Sequence, residues 1–180
     1  VLAIIQAANM TDHARELAQK AFTILADAEA QAHGTTPDKV HFHEVGAVDS
    51  IVDIIAASVC LDDLGIERVA ISPLTEGTGT IRCAHGIMPI PVPAVVNVVQ
   101  ATGLEMHLSK IEGELVTPTG AALAAAFRTE HQIPQPLQSR HAVSEPESAI
   151  MRAQVCYAPC FLSHRMRLNL VLPPILILNV

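Results

Sequence analysis

The sequence has little of what several large classes of protein require. It contains four Phe, one Tyr and no Trp among 180 residues, which leaves few rings for stacking against nucleic-acid bases. Its formal net charge is −7, whereas nucleic-acid binders carry an excess of basic residues. No apolar run approaches the roughly 18 residues of a membrane span, and no signal-peptide pattern follows Val1. These absences predict a cytoplasmic protein that binds neither nucleic acid nor membranes.

The cysteine pattern and the overall composition exclude two further classes. Cys60, Cys83, Cys156 and Cys160 show no paired CxxC spacing, which is typical of a reduced intracellular set and not of a disulfide framework. Half of the chain is hydrophobic and only 16% is charged, so intrinsic disorder is not expected. The length suffices for one large domain or two small ones with a buried core.

Helical and strand patterns alternate along the chain. We predict helices that begin near Thr11, Asp49, Pro93 and Thr117 or Thr119, and that end at Gly34, Gly65, Gly103 and Phe127. Short strands are predicted over residues 39–45, 68–72 and 79–83. This alternation predicts an α/β fold of helices and short strands in layers, with α+β as the alternative.

The composition changes near residue 138. Residues 1–138 hold 16 of the 18 acidic residues and all nine glycines, whereas residues 139–180 contain four Arg, four Pro and no Gly, Asp or Lys. We therefore predict a core over residues 1–138 and an atypical tail over residues 139–180. The apolar stretch 170–178 leaves alternatives for that tail: a docking strand, with residues 168–172 as a candidate pairing segment, or a segment that is disordered or read in a shifted frame. The tail is expected to contribute little to any site.

The densest polar cluster lies over residues 41–50. On a strand, His41 and His43 would share one face, where two imidazoles can reach one divalent ion. Glu44 and Asp49 follow closely and add carboxylates for metal binding or proton transfer. We interpret the histidines as candidate metal ligands and the two acids as candidate catalytic residues, against the alternative of a polar strand end.

Two further segments carry candidate site residues. Cys83 and His85 would again alternate onto one face and offer a thiolate and an imidazole to a metal, with Arg82 available for an anion. Thr117, Thr119 and Gly120 lie at a predicted helix start, where free N–H groups and hydroxyls favour a phosphate. The alternative for the first segment is an ordinary hairpin with glycines at its turns, and the alternative for the second is plain N-capping. His13, His33, His107, His131 and His141 are expected to be surface residues without partners.

Four blocks of the sequence resemble a known family. They are residues 41–50 (HFHEVGAVDS), 72–74 (SPL), 82–94 (RCAHGIMPIPVPA) and 112–123 (EGELVTPTGAAL). In this order they resemble the LarC family, the nickel insertion proteins for the nickel-pincer cofactor of lactate racemase-type enzymes. The similarity covers roughly Thr11 to Pro136 and lacks the family's usual N-terminal segment.

The resemblance implies a metal-insertion reaction of lyase or chelatase type. Ni(II) would enter pyridinium-3,5-bisthiocarboxylic acid mononucleotide through two nickel–sulfur bonds and one nickel–carbon bond. CTP would be required, with a divalent ion such as Mg²⁺, at a site expected outside this chain. The enzyme that receives the cofactor would be a partner. Whether the chain is active alone and whether it forms a homo-oligomer stay open, as do two alternatives, a non-catalytic nickel carrier and a metal-dependent hydrolase that uses the HxHE strand.

Overall fold

The longest helix lies at the centre of the described fold and contacts each of the other described α-helices. In the computed structural model, the described residues are 1–39, 48–83, 86–133, 138–144, 152–157 and 175–179. The helices are α1 (Leu2–Ala7), α2 (Asp12–His33), α3 (Val48–Asp63), α4 (Pro93–Thr102) and α5 (Pro118–Phe127), with a 3-10 turn at Pro37–Lys39. Helix α2 packs against α3, α4 and α5, and α1 contacts its first half.

The described strands form one four-stranded sheet and two pairs. They are β1 (Arg68–Ile71), β2 (Leu74–Thr78), β3 (Thr80–Cys83), β4 (Gly86–Pro89), β5 (Met106–Glu112), β6 (Gln138–Ser144), β7 (Arg152–Tyr157) and β8 (Ile175–Asn179). The larger sheet has the order β1-β8-β7-β6, with β1 and β8 parallel. Strands β2 and β5 pair in parallel, whereas β3 and β4 form an antiparallel hairpin. Helices packed with short, partly parallel sheets confirm the predicted α/β class.

The predicted helix ends are largely confirmed, because the capping chemistry is local. Thr11 Oγ1 accepts a hydrogen bond from the Ala14 N–H at 3.1 Å and begins α2. Gly34 and Gly103 end α2 and α4 with φ of 62° and 65°, in the left-handed region that favours glycine. The assignment of Asp49 as a cap is wrong, because α3 already includes Val48 and Asp49 lies in its first turn.

The core forms where small residues let helices approach closely. Helix α5 buries five alanines and packs against α2, which buries alanines of its own; those of α5 are Ala121, Ala122, Ala124, Ala125 and Ala126. Two buried clusters result, one on either side of this contact: the first contains residues of α1, α2, α3, β1 and α5, and the second contains residues of α2, β2, α4 and α5. The helix pair therefore joins the two halves of the core and fixes the start of α5 relative to the end of α2.

The tail strands extend the sheet that begins with β1. Ile175–Asn179 pairs with β1 from Arg68 opposite Ile175 to Ile71 opposite Leu178. This strand includes the end of the apolar stretch 170–178, whereas residues 168–172, a candidate pairing segment, lie outside the described residues. Strand β6 begins at Gln138, where the composition changes. The division into two domains stays a prediction.

Several elements were not predicted from the sequence. These are α1, β2, β4, β5, β6, β7 and the pairing of β2 with β5. Lys39, the first residue of a predicted strand, belongs to the 3-10 turn, and residues 40–45 lie outside the described residues. None of the described helices combines the length and the apolar character that crossing a membrane requires.

Candidate functional site

A cavity of about 440 Å³ opens where the end of α2, the start of α3, the β3–β4 hairpin and the starts of α4 and α5 meet. Its apolar wall consists of Ala32, Ile81, Met88, Val92, Pro93, Ala94 and Pro118. Its polar wall consists of Glu29, His33, Ser50, Asp53, Cys83, Glu114, Thr117 and Thr119. The mixture of apolar surface and a few convergent polar groups is typical of small-molecule sites.

The last turn of α2 supplies a carboxylate and an imidazole. Glu29 and His33 are four residues apart, so they lie on one face of the helix, and His33 Nε2 is 3.6 Å from Glu29 Oε2. The expectation that His33 has no partner is therefore wrong. It is wrong for His13 as well, whose Nδ1 lies 2.7 Å from Asp62 Oδ1 near the other end of α2. The His13–Asp62 pair ties α2 to α3 and takes no part in the cavity.

The β3 strand places its thiol in the cavity and its guanidinium away from it. Ile81 and Cys83 are partly buried and line the cavity. Arg82, between them, is exposed and is not among the lining residues, because neighbouring side chains on a strand point to opposite faces. The structure thus brings Cys83 to the site, whereas Arg82 lies on the other face of the hairpin.

The start of α5 brings two of the predicted anion-binding residues into the cavity. Thr117 caps the helix, since its Oγ1 accepts a hydrogen bond from the Gly120 N–H at 3.1 Å. The Gly120 N–H is therefore already used within the cap. Pro118 has no N–H, so the Thr119 N–H, for which the described residues offer no acceptor, and the hydroxyls of Thr117 and Thr119 are the donors that this end can present to an anion.

Three carboxylates of the cavity come from separate elements. Asp53 lies on α3, one turn beyond Asp49. Glu29 lies on α2, and Glu114 lies on the segment before α5. The sequence analysis gave Glu29 and Glu114 no role. The spacing of Glu29 and His33 at the end of a helix was the available signal for that pair. The cavity lining contains no Lys or Arg among the described residues, so its field favours a cation.

The other candidate site residues lie outside the residues that the structure describes. His41, His43, Glu44 and His85 lie outside the described residues, as does the side chain of Asp49. In residues 1–39, 50–83 and 86–133, no three side chains of His, Cys, Asp or Glu are grouped so as to hold a metal ion. The roles of these residues therefore stay predictions.

Comparisons with known proteins agree on one family. The family described as nickel insertion protein matches residues 1–144. The pyridinium-3,5-bisthiocarboxylic acid mononucleotide nickel insertion protein of Alkaliphilus metalliredigens (strain QYMF) is 55% identical over 131 residues, which are 73% of this chain and 31% of that protein. Proteins of Synechococcus elongatus and Geotalea uraniireducens, whose names also describe nickel insertion, are 47% and 48% identical over 77% and 71% of this chain, and over 34% and 32% of their own lengths.

These comparisons cover most of this chain but a smaller part of its relatives. The chain spans about a third of the length of the curated relatives it matches. No solved structure matches it. Since the family match extends over residues 1–144 and a relative with 55% identity covers 73% of the chain, the chain belongs to the nickel insertion protein family.

Proposed function

We propose that this chain takes part in inserting Ni(II) into pyridinium-3,5-bisthiocarboxylic acid mononucleotide, the substrate class in the name of its relative from Alkaliphilus metalliredigens. The observation that carries the proposal is the cavity. It combines a thiol, an imidazole and three carboxylates with the hydroxyls of a helix start. Nickel, which is the cargo of the reaction, can take ligands of the kind that the thiol, the imidazole and the carboxylates offer. The phosphate of the nucleotide can accept hydrogen bonds from the hydroxyls of the helix start.

The nickel side of the cavity centres on Cys83. Thiolate and imidazole are ligands that suit Ni(II), and a thiol at the wall of a mixed cavity can bind the ion before transfer. We propose that His41, His43 and His85 complete the ligand set with Cys83. The acidic wall formed by the three carboxylates supports this assignment, because it lowers the free energy of a bound cation.

The anion side of the cavity lies at the start of α5. We propose that the hydroxyls of Thr117 and Thr119 and the Thr119 N–H hold the phosphate, with Gly120 shaping the cap through its N–H. Arg82 was predicted for the same role, and its position on the outer face of β3 makes it the weakest member of this set.

The chemical step requires a base. Formation of a nickel–carbon bond breaks a ring C–H bond, and the electron pair of that bond goes to nickel as the proton leaves. We propose that Glu44 or Asp49 accepts this proton, since a carboxylate can act as a general base and then pass the proton to water. The two thiocarboxylate sulfurs then complete the nickel coordination. The CTP requirement is part of this proposal and applies to the whole protein.

The test separates an enzyme from a nickel carrier. The acidic lining of the cavity is the observation that favours a carrier, because its negative field attracts Ni(II) without any nucleotide. The full chain is incubated with Ni(II), CTP, Mg²⁺ and an excess of the thiocarboxylated mononucleotide, and the nickel-bearing product is counted. Several equivalents of product per chain support an enzyme of the metal-inserting type. One equivalent or less favours the carrier.

A second experiment tests the proposed ligands. Equilibrium dialysis measures the nickel affinity of the wild type and of the double variant His41→Ala/His43→Ala. We expect the affinity to fall at least about tenfold. An unchanged affinity would remove both histidines from the ligand set.

Transfer of the finished cofactor to its receiving enzyme is a further proposal, which mixing the two proteins after insertion would test.

A further inference from the structure

One carboxylate is fully buried and takes no part in the cavity wall. Glu76 on β2 has 0% of its surface exposed, although burying a carboxylate is costly unless donors surround it. Its Oε1 accepts three backbone hydrogen bonds, from the N–H groups of Gly77 at 2.7 Å, Leu115 at 2.8 Å and Val116 at 3.3 Å. Its Oε2 is also buried and has no hydrogen-bond partner among the described residues.

Two of the three N–H groups that Glu76 binds, those of Leu115 and Val116, belong to the segment between β5 and α5, residues 113–117. Both Glu114 and Thr117, which line the cavity, lie on this segment. Glu114 is held from both sides, because the Gly113 N–H donates to the Thr78 carbonyl oxygen at 3.0 Å and the Leu115 N–H donates to Glu76. Glu76 therefore fixes the backbone immediately after one cavity residue and immediately before another.

The packing of the two backbones reinforces this anchorage. A Cβ atom at Gly77 would lie 1.9 Å from the Gly113 carbonyl oxygen, so β2 and segment 113–117 touch with no side chain between them. An amide oxygen, as in glutamine, accepts such hydrogen bonds roughly half as strongly as a carboxylate oxygen does. The buried side chain of Glu76 thus has a geometric task at this point of the chain.

We propose that Glu76 is a positioning residue for the cavity, which holds segment 113–117 so that Glu114 and Thr117 face the bound nickel and nucleotide. The expected effect on nickel binding rests on the proposed function, whereas the anchorage of segment 113–117 rests on the structure alone. Glu76 touches neither ligand and acts through the segment.

The first arm of the test measures the anchorage without any ligand. Hydrogen exchange at the amides of Leu115 and Val116 is compared between the wild type, Glu76→Gln and the control Glu105→Gln, which removes an exposed carboxylate of the same charge. The glutamine variant keeps the shape and an acceptor oxygen, and far-ultraviolet circular dichroism checks that it folds like the wild type. We expect exchange at these two amides to become at least about tenfold faster in Glu76→Gln alone. Unchanged exchange would overturn the proposal.

The second arm measures whether the anchorage acts through Glu114. Nickel affinity is determined by equilibrium dialysis for Glu76→Gln, Glu114→Gln and the double variant, with Glu105→Gln as control. We expect each single change to weaken binding about tenfold and the double change to add less than about threefold to Glu114→Gln. If the losses of nickel affinity in the two single variants instead add up in the double variant, Glu76 has a general structural effect, and the positioning role is overturned. A wild type that binds no nickel would instead overturn the proposed function, and the exchange arm would then decide the anchorage by itself.

Discussion

Replacing Gly77 by alanine should open the contact between β2 and segment 113–117. The new Cβ would lie 1.9 Å from the Gly113 carbonyl oxygen and 2.9 Å from the Ile111 carbonyl oxygen, and both are backbone atoms that cannot rotate away. Relief requires the two backbones to separate by about 1 Å, since Cβ contacts below 3.0 Å essentially never occur. Overpacking of this kind costs about 1–3 kcal/mol. The hydrogen bond from the Gly113 N–H to Thr78 would also stretch, at about 1 kcal/mol.

We therefore expect Gly77→Ala to lower the free energy of unfolding by about 3 kcal/mol, a large part of the roughly 5–15 kcal/mol of a typical domain. Urea denaturation followed by far-ultraviolet circular dichroism measures this change. Gly120→Ala is the matched control, because its Cβ would meet only Thr117 Oγ1 at 3.2 Å. A gain of up to about 1 kcal/mol in helix propensity offsets that contact. A loss in Gly77→Ala below about 1 kcal/mol, or equal to that of the control, would refute the reasoning.

Three further predictions concern the helices that frame the cavity. Arg15→Ala should cost about 2–3 kcal/mol in urea denaturation, because the guanidinium donates to four carbonyl oxygens of residues 5–10 and the variant removes all four hydrogen bonds; a loss below about 0.5 kcal/mol would contradict this. Thr117→Val should lower the unfolding free energy by about 1 kcal/mol through the lost N-cap, and an unchanged melting temperature would argue against the cap. Hydrogen bonds from His13 and then Thr11 hold the pKa of Asp62 below its ordinary value of 3.8. The hydrogen-bonded pair of His13 and Asp62 therefore stabilises the fold above about pH 4, and this contribution is lost as the pH falls through the lowered pKa of Asp62. The stability difference between the wild type and Asp62→Asn should accordingly shrink in melts below pH 4, and a difference independent of pH would exclude the pair as its cause.

Local chemistry made much of the helical framework predictable from the sequence. A cap such as Thr11 and a left-handed glycine such as Gly34 act on backbone groups within four residues, so the sequence alone determines them. The cap of α5 was ambiguous between Thr117 and Thr119, because both precede an apolar run. The structure selects Thr117 through its hydrogen bond with the Gly120 N–H.

Long-range contacts were not predictable in this way. The pairing of β2 with β5 joins residues about 30 positions apart, and the apolar residues of β5, Met106, Leu108 and Ile111, do not keep a period of two. The roles of Glu76, Glu29 and Glu114 likewise depend on which segments meet in space. Alternation along β3 did predict that Cys83 faces one side, and the same rule places Arg82 on the other.

Nickel binding by the cavity is tested most directly with its thiol. Equilibrium dialysis compares the nickel affinity of the wild type with that of Cys83→Ser and of Cys60→Ser, which removes an exposed free thiol on α3 outside the cavity lining. A serine hydroxyl is a poorer ligand than a thiolate for Ni(II), so we expect affinity to fall at least about tenfold in Cys83→Ser and to stay at the wild-type value in Cys60→Ser. Equal affinities for all three proteins, or an equal loss in both variants, would contradict the assignment of nickel to this cavity.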